Sequence, residues 1–155
     1  VNVIRSGKPM QLDEFVSHDT QAIIENINSK YPNHDITMYP DASGDANKTN
    51  ASKSDIALLR EAGFRINAPA VNGRVSNRVN SFNVLLSKNE WVINTNKCPK
   101  STEALEQQVY DKNGAPEKFS GAATIDDWND AQGYFITRKF GLLKETIQTY
   151  KRRFN

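Results

Sequence analysis

Hydrophobic and polar positions along this chain alternate between a period near two and a period near 3.6, the periods of strands and helices. Residues 1–5 and 10–16 have the strand period, and the turn-forming residues 6–9 lie between them. We therefore predict an antiparallel hairpin at the start. Helix-like and strand-like segments follow it in turn, so the pattern as a whole predicts an α/β fold.

The later segments fall into six predicted helices and three predicted strands. The helices are predicted from a cap at Asp19 or Thr20 to about Lys30, over about 52–62, from Gly73 onward, over about 101–110, over about 126–140, and over 142–154. The strands are predicted at 35–41, 64–66 and 90–94. Inward-facing positions are predicted at Val75, Val79, Phe82 and Leu86 on the third helix and at Ala131, Tyr134 and Phe135 on the fifth.

The strand predicted at 35–41 ends in a carboxylate. Pro40 cannot donate a ladder hydrogen bond, so this strand should stop near Asp41, where the polar loop 43–50 begins. Ligands and reacting groups of α/β sheets collect at the carboxyl ends of strands, which favours a functional role for Asp41. Asp is also a common turn-capping residue. The residues alone leave both interpretations open.

Composition limits the classes of protein to consider. The chain has 155 residues, a formal charge of +2 and no apolar run long enough to cross a bilayer. We expect a single domain over 1–155 and no membrane association. The single cysteine, Cys98, is interpreted as a packing residue and fits a reducing cytoplasm. No GxxxxGK[ST] motif occurs, so ATP-driven movement is not expected of this sequence.

Three carboxylates gather at the start of the fifth predicted helix. Asp126 and Asp127 suit helix capping and the helix dipole, whereas Asp130 lies one turn further in and is explained less well by capping. We therefore interpret Asp130 as the functional residue. If Asp41 faces it, the two carboxylates could hold Mg²⁺ or Mn²⁺, because hard cations prefer oxygen ligands.

Four segments resemble motifs of one known family. They are 39–44 (YPDASG), 50–59 (NASKSDIALL), 72–80 (NGRVSNRVN) and 129–134 (NDAQGY), and they occur in the order that the family has. Over roughly residues 1–140 the chain is similar to the nuclease domain of tailed-bacteriophage large terminase subunits. The resemblance implies a ribonuclease H-like mixed sheet flanked by helices.

The resemblance also implies a function. The family cuts concatemeric double-stranded viral DNA during genome packaging, with two metal ions held by acidic residues. Asp41 and Asp130 match the strand and last-helix carboxylates, which makes them the expected catalytic and metal-binding residues. Double-stranded DNA, an upstream ATPase domain, the small terminase subunit and the portal protein are the implied partners, in the host cytoplasm.

The chain departs from the family at its start. The family has a first strand with an acidic ligand, and the predicted hairpin matches only the second and third strands. We therefore expect a fragment of a longer protein and weaker cleavage than in a chain that includes that strand. The competing interpretation is a degenerate nuclease that serves only as a DNA-binding or structural module.

Four basic residues are candidate contacts for DNA phosphates. Lys48 and Lys53 flank the loop after Asp41, and Arg74 and Arg78 are i, i+4 neighbours on the third helix. Each taken singly is equally well explained as an ordinary solvated cation. Trp91 and Trp128 are interpreted as packing residues rather than base-stacking ones.

Overall fold

The computed structural model describes residues 1–45, 53–121 and 124–141. The chain divides into two compact units. We call Val1–Glu14 with Gly73–Asn155 the first unit, and Phe15–Asn72 the second unit. Each unit is described by itself.

Helices and strands alternate in the order that the sequence pattern predicts. In chain order the elements are β1 (Asn2–Arg5), β2 (Lys8–Gln11), α1 (Thr20–Lys30), β3 (Thr37–Met38), a 3₁₀ turn (Ala42–Asp45), α2 (Asp55–Glu61), β4 (Arg65–Ile66), α3 (Val75–Ser87), β5 (Val92–Ile93), α4 (Pro99–Gln107) and α5 (Ile125–Phe140). The α/β class is thus confirmed. The helix predicted at 142–154 lies outside the described residues.

The first unit begins with the predicted hairpin. β1 and β2 pair antiparallel, with Arg5 opposite Lys8, so only Ser6 and Gly7 form the turn. Both turn residues have positive φ, 50° and 77°, the backbone twist that a two-residue hairpin needs. The predicted bounds of the second strand were wrong. Pro9 lies inside β2, and the strand stops at Gln11, opposite the start of β1.

β2 also pairs with β5, in parallel, which gives a mixed three-stranded sheet of order β1, β2, β5. α5 packs against both α3 and α4. The buried apolar residues of this unit are Phe82, Leu85, Trp91, Cys98, Ala104, Phe135 and Ile136. The ring centroids of Phe82 and Trp91 are 5.0 Å apart, so Trp91 is the packing residue that was predicted, as is Cys98.

The predicted inward positions of two helices need correction. Leu86 and Ala131 were predicted to pack inward, but both are exposed. On α3 the buried residues are instead Arg78, Ser81, Phe82 and Leu85. Arg78 takes part of the inward face because Asp130 of α5 is its ion-pair partner, and a periodicity of apolar residues does not detect such a pair.

The second unit is built on α1 and α2. Asp19 caps α1 by accepting a hydrogen bond from the Ala22 N–H at 2.8 Å, as predicted, and Ser54 caps α2. The buried cluster of this unit consists of Ile24, Ile27, Leu59 and Phe64. β3 pairs in parallel with β4, Thr37 opposite Arg65 and Met38 opposite Ile66.

The strand predicted at 35–41 is shorter than expected. β3 covers only Thr37–Met38, because β4, its partner in the second unit, is itself two residues long. Asp41 therefore lies three residues beyond the strand, at the start of the 3₁₀ turn. Among the described residues, no helix is long and apolar enough to cross a membrane.

Candidate metal and nucleic-acid site

The start of α5 is fixed by a capping box. The Asp127 carboxylate accepts a hydrogen bond from the Thr124 N–H at 3.0 Å, and the Thr124 side chain completes the box. The capping interpretation of Asp127 is thereby confirmed. Asp127 is exposed, and its carboxylate serves the helix end.

Asp126 has a different environment from its neighbour. Its side chain is buried and interacts with the Thr124 hydroxyl at 2.7 Å, the Phe119 N–H at 3.3 Å and Lys118 Nζ at 2.9 Å. Burial alone would raise the pKa of the Asp126 carboxyl. The hydrogen bonds from Thr124, Lys118 and Phe119 and the charge of Lys118 outweigh burial, so the pKa is lowered and the group is held ionised.

Asp130 lies one turn further along α5 and binds two cationic side chains. Arg78 Nη2 is 2.7 Å from Oδ1, and Lys118 Nζ is 3.3 Å from Oδ2. Lys118 thus bridges Asp126 and Asp130. Burial by itself lowers the pKa of Lys118, but the hydrogen bonds and charges of the two carboxylates outweigh burial and raise it.

Arg78 is held in a defined position. Only 7% of the residue is exposed, and its guanidinium carbon lies 4.8 Å from the centroid of the Tyr134 ring, a cation–π contact. Gly133 makes this approach possible, since a Cβ there would lie 3.0 Å from Arg78 Cδ and 3.2 Å from the Phe82 ring. Arg78 is therefore part of the α3–α5 contact, whereas Arg74 is exposed just before α3.

Asp41 belongs to the second unit, where its Oδ1 accepts hydrogen bonds from the Ser43 hydroxyl at 2.7 Å and the Gly44 N–H at 3.1 Å. These bonds have the geometry of a turn cap. Asn72 holds the same turn, because its Oδ1 accepts from the Ala42 N–H at 2.8 Å. From the described residues, Asp41 Oδ2 receives no hydrogen bond.

The predicted basic residues have varied surroundings. Lys53 lies in the second unit, where its Nζ contacts both carboxylate oxygens of Glu61 at 2.7 Å on the exposed surface. Lys48 lies outside the described residues. Of the predicted site residues, the structure brings Arg78 and Asp130 into direct contact; Asp41 and Asp130 lie in different units.

Two site residues were missed by sequence reasoning. Asp126 was explained as a helix cap, although its i, i+4 spacing to Asp130 places the two carboxylates on one face and was a usable signal. Lys118 gave no signal, because it lies in the aperiodic stretch before α5. Its contact with both carboxylates comes from tertiary structure alone.

The donor chemistry of this cluster suits a hard cation. Asp126 Oδ2 and Asp130 Oδ2 both contact one cationic atom, the ammonium of Lys118, which stands in for a cation at this position. Carboxylate oxygens are the ligands that Mg²⁺ and Mn²⁺ prefer. Among residues 1–45, 53–121 and 124–141, no group of three or more His, Cys, Asp or Glu side chains converges as a ready ligand set.

Comparison with known proteins gives one positive result. No curated protein and no solved structure matches the chain. One family model does match, over residues 10–139, and its description is the terminase RNaseH-like domain. That match spans most of the chain and includes Asp126 and Asp130 of α5. The chain therefore belongs to the terminase RNaseH-like domain family.

Proposed function

We propose that this chain is the nuclease domain of a viral genome-packaging terminase and that it cuts concatemeric double-stranded DNA in a metal-dependent reaction. Membership of the RNaseH-like terminase family supports a nuclease role in DNA packaging. The observation that further supports the proposal is that Asp126 Oδ2 and Asp130 Oδ2 both contact one cationic atom, Lys118 Nζ. Two carboxylates that hold a cation at one point offer the oxygen ligands that Mg²⁺ and Mn²⁺ prefer.

Asp41 and Asp130 are the proposed metal ligands, with Asp126 beside Asp130. When bound, Mg²⁺ or Mn²⁺ would activate the attacking water and stabilise the leaving oxygen. An aspartate carboxyl is anionic at neutral pH, as a ligand must be, and the lowered pKa of Asp126 extends that state to lower pH. Lys118 has a side chain that is 56% exposed, so it is free to move away from the carboxylates when a metal ion or a phosphate approaches.

The proposed DNA contacts are Lys48, Lys53, Arg74 and Arg78. A net charge of only +2 gives little general attraction to DNA, so such contacts would have to act locally. Arg74, which lies just before α3, and Lys53 both have exposed side chains. An ATPase domain, a small terminase subunit and a portal protein are the proposed packaging partners, in the cytoplasm of the host.

A plasmid-nicking assay with Mg²⁺ or Mn²⁺ tests the proposal. We expect Asp41→Ala and Asp130→Ala each to lower the cleavage rate by at least about tenfold, because each would remove a metal ligand. Mn²⁺ affinity, measured by electron paramagnetic resonance, should fall in parallel. Matched controls are Asp35→Ala and Glu106→Gln, exposed carboxylates in the second and first units, which should cleave like the wild type.

The second candidate function is a non-catalytic DNA-binding module. The observation in its favour is that both oxygens of Asp130 contact cationic side chains, while Asp41 caps its own turn. Under this alternative, nicking is absent or is unchanged by both substitutions, while DNA binding persists. That outcome would contradict the proposed site.

A further inference from the structure

A cleft of about 190 Å³ lies beside Asp130 in the first unit. It is smaller than the pockets that hold drug-sized ligands, roughly 300–1,000 Å³, and suits a single small ring system. Val79 and Phe82 of α3 and Leu105 of α4 form part of its apolar wall. Val109 and Tyr110 line it as well and are 54% and 58% exposed. The mouth of the cleft is therefore apolar, aromatic and accessible.

Carboxamides and one ion pair supply the polar part of the lining. Asn83, Gln108 and Asn129 line the cleft, together with Arg78 and Asp130. The charges of Arg78 and Asp130 offset each other at 2.7 Å, so the lining favours a neutral polar ligand over a free anion. Carboxamides offer a donor and an acceptor side by side, as the edges of nucleobases do.

The accessible polar group of this lining is the Asn83 carboxamide. Asn83 is exposed on α3, so its donor and its acceptor can reach a ligand in the cleft. Arg78 Nε and Asn129 Oδ1 have no hydrogen-bond partner among the described residues, but both atoms are closed off from solvent and do not face the cleft. The cleft thus presents one carboxamide near an exposed aromatic ring.

From these features we infer that the cleft binds one unpaired nucleobase of a DNA strand held at the carboxylate site. Tyr110 supplies a ring for stacking, and the exposed Asn83 carboxamide supplies a donor and an acceptor for the base edge. The inference rests on the proposed function, because the DNA strand presents the base. It extends that function by making locally unpaired DNA the preferred substrate over a fully paired duplex.

The test uses the full chain and two short duplexes in EDTA, so that no strand is cut. One duplex is fully paired, and the other has 2-aminopurine opposite an abasic site. Fluorescence anisotropy should show binding of the second duplex that is tighter by about tenfold, the scale of one base stacked on an aromatic ring. The 2-aminopurine fluorescence should change on binding, because the base leaves the duplex stack.

Two variants of the cleft and one control complete the experiment. Tyr110→Ala removes the exposed ring, and Asn83→Trp fills the cleft from an exposed position on α3; both should abolish the preference and keep the affinity for paired duplex. Leu86→Ala, also exposed on α3 but outside the cleft, should keep the preference.

Equal binding of both duplexes by the wild type, or a preference that survives both cleft variants, would overturn the inference and leave the nuclease proposal intact. Loss of nicking with an intact preference would overturn the nuclease proposal alone.

Discussion

At the scale of single residues, Lys118 is the side chain that most changes the interpretation of the acidic cluster. Its ammonium contacts Asp126 at 2.9 Å and Asp130 at 3.3 Å, and Arg78 adds a second cation on Asp130. Anionic groups this close repel one another unless a cation lies between them. In this structure a side chain of the protein provides that cation.

Replacing Lys118 should therefore strengthen metal binding. In Lys118→Met the ammonium no longer competes for the two carboxylates, and we expect Mn²⁺ to bind about tenfold more tightly, since a nearby positive charge opposes a divalent cation. Electron paramagnetic resonance of free Mn²⁺ measures the change. Lys112→Met, at an exposed lysine of the same loop, is the control. Unchanged Mn²⁺ affinity in Lys118→Met would show that the carboxylate pair is not where metal binds.

The lowered pKa of the Asp126 carboxyl predicts how the free energy of unfolding changes with pH. Because the folded pKa lies below the ordinary value of 3.8, the ionised carboxylate stabilises the fold above that value. This contribution is lost as the pH falls below 3.8 and through the folded pKa. Asp126→Asn should cost about 1 to 3 kcal/mol at pH 7, because it weakens charged hydrogen bonds of a buried group.

Urea unfolding in EDTA at pH 7 and pH 3 measures this effect. The stability difference between wild type and Asp126→Asn should be large at pH 7 and smaller at pH 3, because below the ordinary pKa of 3.8 the Asp126 carboxyl of the unfolded chain takes up a proton. Glu106→Gln, on the exposed surface of the first unit, should change stability little at either pH. A difference between wild type and Asp126→Asn that is equal at both pH values would contradict the assigned cause.

At the scale of secondary-structure elements, the contact between α3 and α5 positions the site. Gly133 leaves room for Arg78 and Phe82, and the Arg78 guanidinium then lies over Tyr134 and beside Asp130. The packing of two helices therefore fixes the position of a charged group. A change in that packing should alter the candidate site as well as stability.

Gly133→Leu tests this helix contact. A leucine would meet Arg78 and Phe82, so we expect a loss of roughly 1 to 3 kcal/mol in unfolding free energy from overpacking. Gly133→Ala should lose less, because the gain in helix propensity of up to about 1 kcal/mol offsets the closer contact. Thermal or urea unfolding gives the values.

The control for this substitution lies on the same helix. Ala131 is exposed on α5, and Ala131→Leu should change the unfolding free energy by no more than about 0.5 kcal/mol. If Gly133→Leu were as stable as Ala131→Leu, the close approach of α3 to α5 at Gly133 would be wrong.

At the scale of the whole molecule, the chain combines a formal charge of only +2 with several ion pairs among the described residues. The ion pairs of Arg78, Lys118 and Lys53 each join a basic residue to a nearby carboxylate. The family match spans residues of both compact units. The single domain over 1–155 stays a prediction. DNA binding by this chain should therefore depend on a few local contacts rather than on overall charge.

The sequence by itself determined the order of elements, the helix caps at Asp19 and Asp127, and the family. Capping depends on residues close together in the chain, such as Asp19 with Ala22, and local spacing predicts it. Strand lengths were predicted less well, because β2 and β3 end where their partner strands end.

Only the tertiary structure decided which charged groups meet at the candidate site. Arg78 and Asp130 are 52 positions apart, and Lys118 reaches Asp130 from a stretch without any periodic pattern. A buried arginine also looks like a surface cation in the sequence, because spacing cannot show that a carboxylate and a glycine on another helix make room for it. The acidic residues were visible from the sequence, while their cationic partners, Arg78 and Lys118, were set by tertiary structure.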